Sequence, residues 1–132
     1  MPGYTPDELV EMLYPHLGGL RFTPKLFTST DWDGDAKAFD SSGVIDLSAV
    51  FGLPAGISAV AAQMSIRDES VDVAATLSSA AGSNDGFDQW TQVANVYIQQ
   101  AGIVTCDANG DIYFTQSAEF DAVYIRITGF WS

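Results

Sequence analysis

Residues 121–131, "DAVYIRITGFW", carry the reading of the fold. In an extended chain Val123, Ile125 and Ile127 share one side with Trp131, and Tyr124, Arg126, Thr128 and Phe130 share the other, because side chains of a strand alternate with period two. A strand with one aliphatic face and one aromatic and polar face covers a core on one side only, as strands of antiparallel sheets do. The same period recurs in "SVDVAATL", where Val71, Val73, Ala75 and Leu77 alternate with Asp72, Ala74 and Thr76.

Working outward, the chain from residue 21 onward consists of short runs rich in Val, Ile, Thr, Phe and Tyr, divided by Gly, Asp, Asn, Ser and Pro. "KLFTST", "GVIDLS", "ISAVAAQMSIRD", "SVDVAATLSS", "WTQVANVYIQQ", "GIVTCD" and "DIYFTQS" join the last run as strand candidates. Their regular spacing predicts an all-β domain, an antiparallel β-sandwich of jelly-roll-like form, over an α/β fold. Residues 77–90, "LSSAAGSNDGFDQW", read as the most flexible segment, a loop before the next strand.

The N-terminal part differs in texture. "TPDELVEMLYPHL", residues 5–17, predicts a short helix: Thr5 caps it, Pro6 takes the first helical position and Glu8 completes a capping box. Leu9, Met12 and Leu13 form an apolar stripe with Val10, Tyr14 and Leu17 beside it, and Pro15, Gly18 and Gly19 end the helix. So short a helix needs a surface to dock on, either its own domain or another subunit. The expected organisation is a helical anchor over residues 1–20, gripping through Leu9, Met12, Leu13 and Tyr14, followed by a β-sandwich over residues 21–132.

The chain has the 132 residues of one domain, and its 5 Lys and Arg against 17 Asp and Glu give a formal net charge of −12. Nucleic-acid binding relies on basic side chains that neutralise phosphate, and anionic membranes attract the same residues, so neither partner is expected. Residues 1–12 have neither the basic nor the apolar region of a signal peptide, and no run is apolar enough for a membrane-spanning helix. Only 17% of residues are charged while 47% are hydrophobic, which predicts a neutral polar surface suited to packing against copies of the same chain.

Two acidic runs invite a metal reading. Asp31, Asp33 and Asp35 alternate around Gly34 as an EF-hand loop begins, but Ala36, Phe39 and Ser42 stand where that loop needs a bend, a ligand and a closing glutamate. Asp107, Asn109 and Asp111 fail in the same way, with Ile112 and Ala118 at the bend and the closing position. Neither run is an EF-hand, and Asp31, Asp33 and Asp35 are left as weak candidates for a looser calcium site. Turn chemistry accounts for both runs without an ion: Asn109-Gly110 between two apolar runs signals a hairpin, and Asp33-Gly34 suits a similar turn. No metal or cofactor is expected.

His16 is the single histidine and Cys106 the single cysteine, so neither the usual zinc sets nor a Cys-His or Ser-His-Asp arrangement has its parts. Cys106 reads as a small packed residue rather than a reactive thiol. Gly-rich phosphate loops are absent too: "GLPAGI" and "AAGSNDG" lack the lysine and the strand-to-helix setting. No catalytic residues are assigned and no enzyme is expected. One ligand site has suitable residues: Trp90 with Asp88 and Gln89, since aromatic faces and planar amides suit sugar rings. Trp90 equally suits a cap on the end of the sandwich.

"STDWDGDAKAF", "GVIDLSAVFGLPAGISAV", "GIVTCDANGDIYF" and "DAVYIRITGFWS" together resemble β-sandwich domains of tail-fibre and related virion proteins of tailed bacteriophages. The resemblance implies a non-enzymatic virion structural protein, a short tail fibre or capsid decoration protein assembled in the host cytoplasm. Its N-terminal segment would attach to other virion proteins, and the chain would self-associate, typically as a homotrimer. The alternative is a carbohydrate- or receptor-binding module that contacts a host surface glycan.

Overall fold

In a computed structural model of the protein, residues 20–24, 32–33 and 43–132 are described. The predicted helix with Leu9, Met12, Leu13 and Tyr14, the run "KLFTST", and Asp31 and Asp35 lie outside those residues. The regular structure of the described residues is nearly all strand, as the alternation predicts, with one short helix. Its elements are β1 (Phe22–Pro24), β2 (Trp32–Asp33), β3 (Gly43–Ile45), α1 (Leu47–Phe51), β4 (Ala59–Arg67), β5 (Ala74–Ser78), β6 (Phe87–Trp90), β7 (Ile98–Thr105), β8 (Ile112–Gln116) and β9 (Ala122–Trp131).

Two antiparallel sheets result. One has the order β1-β9-β4-β7, with β2 also pairing β9, and the other has the order β3-β8-β5-β6. Consecutive strands lie in different sheets at β2–β3, β3–β4, β4–β5, β6–β7, β7–β8 and β8–β9, so neighbours in a sheet are mostly distant in sequence. Both sheets feed one buried cluster: Val60, Met64 and Ile66 of β4 and Ile125 of β9 from the first, Leu77 of β5 and Phe114 of β8 from the second. Along β4 burial alternates strictly, with Ala61, Gln63 and Ser65 on the outer face.

In β9 the alternation breaks. The register of β4 against β9 shifts between Ala61 and Ala62, so that Ala61 faces Gly129 and Ala62 faces Ile127, which leaves Thr128 as the extra residue of a bulge. The Thr128 hydroxyl donates to the Ala61 carbonyl at 3.2 Å. One inserted residue inverts parity, so Phe130, opposite Val60, packs on the core. Trp131 instead joins the outer face, its ring 4.7 Å from that of Phe22. This corrects the expected grouping of Trp131 with Val123, Ile125 and Ile127.

The Asn109-Gly110 turn forms, but it does not join neighbouring strands of one sheet. The Gly110 N–H donates to Asp107 O at 3.0 Å, the Asp107 N–H donates to Asp111 O at 2.8 Å, and Gly110 takes φ +83°. This is a turn closed by a left-handed glycine, and the chain then diverges: β7 pairs β4, whereas β8 pairs β3 and β5. The hairpin expectation therefore holds for the turn and fails for the strands.

Two strand expectations shift for local reasons. "GVIDLS" ends at Ile45, and α1 follows because the Asp46 carboxylate accepts the Ala49 N–H at 3.1 Å and Gly52 closes the helix at φ 70°. "WTQVANVYIQQ" is divided: β6 stops at Trp90 and β7 starts at Ile98. β6 itself lies within the segment expected to be loop. The loop that remains, residues 79–86, is tied by Asp85, whose carboxylate accepts the Ser79 N–H at 2.9 Å and the Ser79 hydroxyl. Those Ser79 bonds hold the Asp85 carboxyl below its ordinary range.

Cys106, buried beside the turn, is inert by environment. Burial, reinforced by Asp107 and Asp111, pushes its thiol up to about 12. A thiol-specific reagent at neutral pH is therefore expected to label the native protein only as fast as the chain unfolds. Rapid labelling without denaturant would show that the thiol is not packed as described.

Candidate functional site

The outer face of the first sheet carries the most distinctive side chains. Adjacent strands β7, β4 and β9 align Gln99, Ser65 and Tyr124 in one row, and Gln63 faces Arg126 in the next. With Tyr97 they line a groove of about 420 Å³. Each side chain points outward because its neighbours along the strand, such as Met64 and Ile66 in β4 or Ile125 and Ile127 in β9, are claimed by the core.

Tyr97 is positioned from the loop before β7. Buried Asp68 organises that end of the molecule: its backbone carbonyl accepts the Asn95 N–H at 2.7 Å. Its carboxylate accepts from Ser70 N at 3.0 Å and Asp121 N at 3.2 Å. Thr91, fully buried, adds a second tie by accepting the Val73 N–H and donating to Ser70 O, both at 2.9 Å. Three loops are thus fastened next to Tyr97.

Within the groove the carboxamides and rings are already arranged. Gln99 Nε2 donates to Gln63 Oε1 at 3.0 Å. The rings of Tyr97 and Tyr124 lie 6.1 Å apart at 37°, and the Arg67 guanidinium sits 5.1 Å from the Tyr97 ring centre, within cation–π range. Of the cationic side chains among the described residues, Arg21, Arg67 and Arg126, two border this face in a chain of net charge −12. Among the described residues that line the groove none is a carboxylate, and Asp33 stands opposite Tyr124 in β2. The arrangement can stack a flat apolar face on tyrosine and offer planar, bidentate donors and acceptors beside it.

The expected ligand residues are not brought together. β6 holds Asp88 and Trp90 exposed on one face, Trp90 at 50%, and turns Gln89 into the interior. Gln89 is 5% exposed, and neither its Oε1 nor its Nε2 has a hydrogen-bond partner among the described residues. The adjacency of Asp88, Gln89 and Trp90 in sequence hides this opposition, which period two imposes on any strand.

As for metal, Asp33 stands in β2 opposite Tyr124, with Asp31 and Asp35 outside the described residues. In the second acidic run the carboxylates serve the backbone. Asp107 Oδ1 accepts from Asn109 N and Asp111 N, both at 2.9 Å, and Asp111 Oδ1 accepts from Leu47 N at 3.2 Å. Burial raises the Asp111 carboxyl, with Asp46 and Asp107 adding to the effect against the Leu47 bond. Among the described residues no three His, Cys, Asp or Glu side chains gather as a metal set.

The groove could be found in sequence only in part. Tyr124 and Arg126 stood out as the polar face of β9, but their meeting with Gln63, Ser65 and Gln99 depends on the order β9-β4-β7, which no local pattern encodes. With this geometry described, comparison with known proteins adds no relative: no protein-family model, no curated protein and no solved structure matches the chain.

Proposed function

We propose that the protein is a non-enzymatic recognition module, a β-sandwich of jelly-roll-like form, that binds a saccharide in the groove formed by Gln63, Ser65, Tyr97, Gln99, Tyr124 and Arg126. The observation that carries this reading is the paired Gln63 and Gln99 carboxamides beside two tyrosine rings on one open sheet face. A sugar ring presents an apolar C–H face and an equatorial set of hydroxyls, and these need an aromatic surface and planar polar groups side by side.

Titration of the intact protein with sugars selected on a glycan array tests the reading. Tyr97→Ala is expected to weaken binding roughly tenfold or more, through loss of the stacking ring, while Trp90→Ala leaves it unchanged. Loss of binding in Trp90→Ala with Tyr97→Ala unaffected would return the site to β6.

A second reading is favoured by a different observation, the long uncharged outer edge of β7. On this reading the protein is a phage virion structural component, a short tail fibre or capsid decoration protein that attaches through residues 1–20 and self-associates. The particle assignment rests on the sequence resemblance. The two readings are compatible, because a short fibre can both assemble and hold a host glycan.

A further inference from the structure

The first sheet ends in β7. One side of this strand bonds β4 from Ile98 to Thr105, and no strand among the described residues pairs its other side. An edge of eight residues presents a long row of backbone donors and acceptors, and folded proteins ordinarily guard such an edge with lysine, proline, an inward charge or a bulge. β7 reads "IQQAGIVT" and has none of the residue guards, and its pairing with β4 is continuous with no bulge. In a chain of net charge −12 this absence singles out one seam at which two copies can meet without opposing like charges.

We propose that β7 pairs antiparallel with β7 of a second copy about a two-fold axis, joining two five-stranded sheets into one. Parity supports self-pairing. Gln99, Ala101, Ile103 and Thr105 face outward, opposite outward residues of β4, and Ile98, Gly102 and Val104 lie on the core side together with Gln100, which stays exposed at the edge. Antiparallel partners keep their faces aligned only if the two-fold passes through a residue and not between two. The central residues of the strand are Ala101 and Gly102, so the position that must meet itself is one of the two smallest side chains. Either choice brings the 60% exposed Ile103 against an outward neighbour of the partner, Gln99 or Ala101.

The occupant is a second copy and not a foreign strand, because an isologous edge closes at two molecules and satisfies both rows of backbone groups at once. The pairing also places the Gln99 sides of two grooves on one continuous outer face. The inference stands apart from the saccharide reading, and it shares with the virion reading only self-association. It predicts a dimer where that reading implies a trimer.

Light scattering on the intact chain across a concentration series tests it, with Ala101→Lys and Ile103→Lys as variants. The wild type is expected at twice the 14.1 kDa chain mass at high concentration, more so as salt screens the net charge. Both lysine variants are expected to stay monomeric with an unchanged circular dichroism spectrum. Amide exchange provides a measurement without any variant: protection along β7 should rise with protein concentration. A monomer at every concentration, a trimer, or a dimer that survives both lysines would overturn the proposal. So would β7 protection that does not change with concentration.

Discussion

Replacing Phe114 with Ala is expected to cost about 3–5 kcal/mol of unfolding free energy, the range for truncating a fully buried aromatic residue. Phe114 is 1% exposed and belongs to the internal strand β8, where it stands between Gly43 of β3 and Leu77 of β5. Strands on both sides hold the backbone in place, so the cavity cannot collapse easily. A domain of this kind has only about 5–15 kcal/mol in total, so this one side chain carries a large share. Urea unfolding checks it: the midpoint should fall with little change in slope. A loss below about 1 kcal/mol would mean that the two sheets do not share the core described.

Gly110→Ala is expected to cost about 2–4 kcal/mol, for two separable reasons. At φ +83° any Cβ is strained, and here it would also stand 2.7 Å from Gly56 N and 2.8 Å from Ile57 N. Those neighbours are backbone and cannot rotate away. The contact is part of how the turn docks, since the Gly56 N–H donates to Asn109 O at 3.3 Å. Gly82 supplies the control. Its φ is +76° with nothing within 4 Å of a Cβ, so Gly82→Ala should show only the conformational cost, about 1 kcal/mol. Equal losses in the two variants, read from thermal or urea midpoints, would contradict the close approach at Gly110.

Both variants probe features that differ in how far sequence exposes them. Alternation in residues 121–131 and in "SVDVAATL" was sufficient for the all-β class, because a half-buried strand must repeat every second residue whatever it pairs with. The bulge at Thr128 was not legible, since nothing in "RITGFW" shows that Ala61 and Ala62 will meet residues two apart in β9. α1 had a visible signal in Asp46 and Gly52 flanking "LSAVF", but the β-branched Val44 and Ile45 ahead of it extended the strand reading past Ile45. Asn109-Gly110 specified its turn and could not specify which sheet each arm would join.

The candidate site shows the same division. Tyr97, Tyr124 and Arg126 could be singled out as polar or aromatic positions on strands, yet their common groove arises from strands that enter it from three separate parts of the chain. Trp90, Asp88 and Gln89 drew attention because they are contiguous, and contiguity is the arrangement that a strand disperses to opposite faces.

The most direct test of the saccharide reading is a map of amide and side-chain chemical shifts of isotope-labelled protein during titration with a sugar that it retains. Shifts concentrated at Gln63, Tyr97, Gln99 and Tyr124, with β6 silent, are the predicted result. Shifts centred on Asp88 and Trp90, or binding that leaves the outer face of β4, β7 and β9 unperturbed, would contradict it.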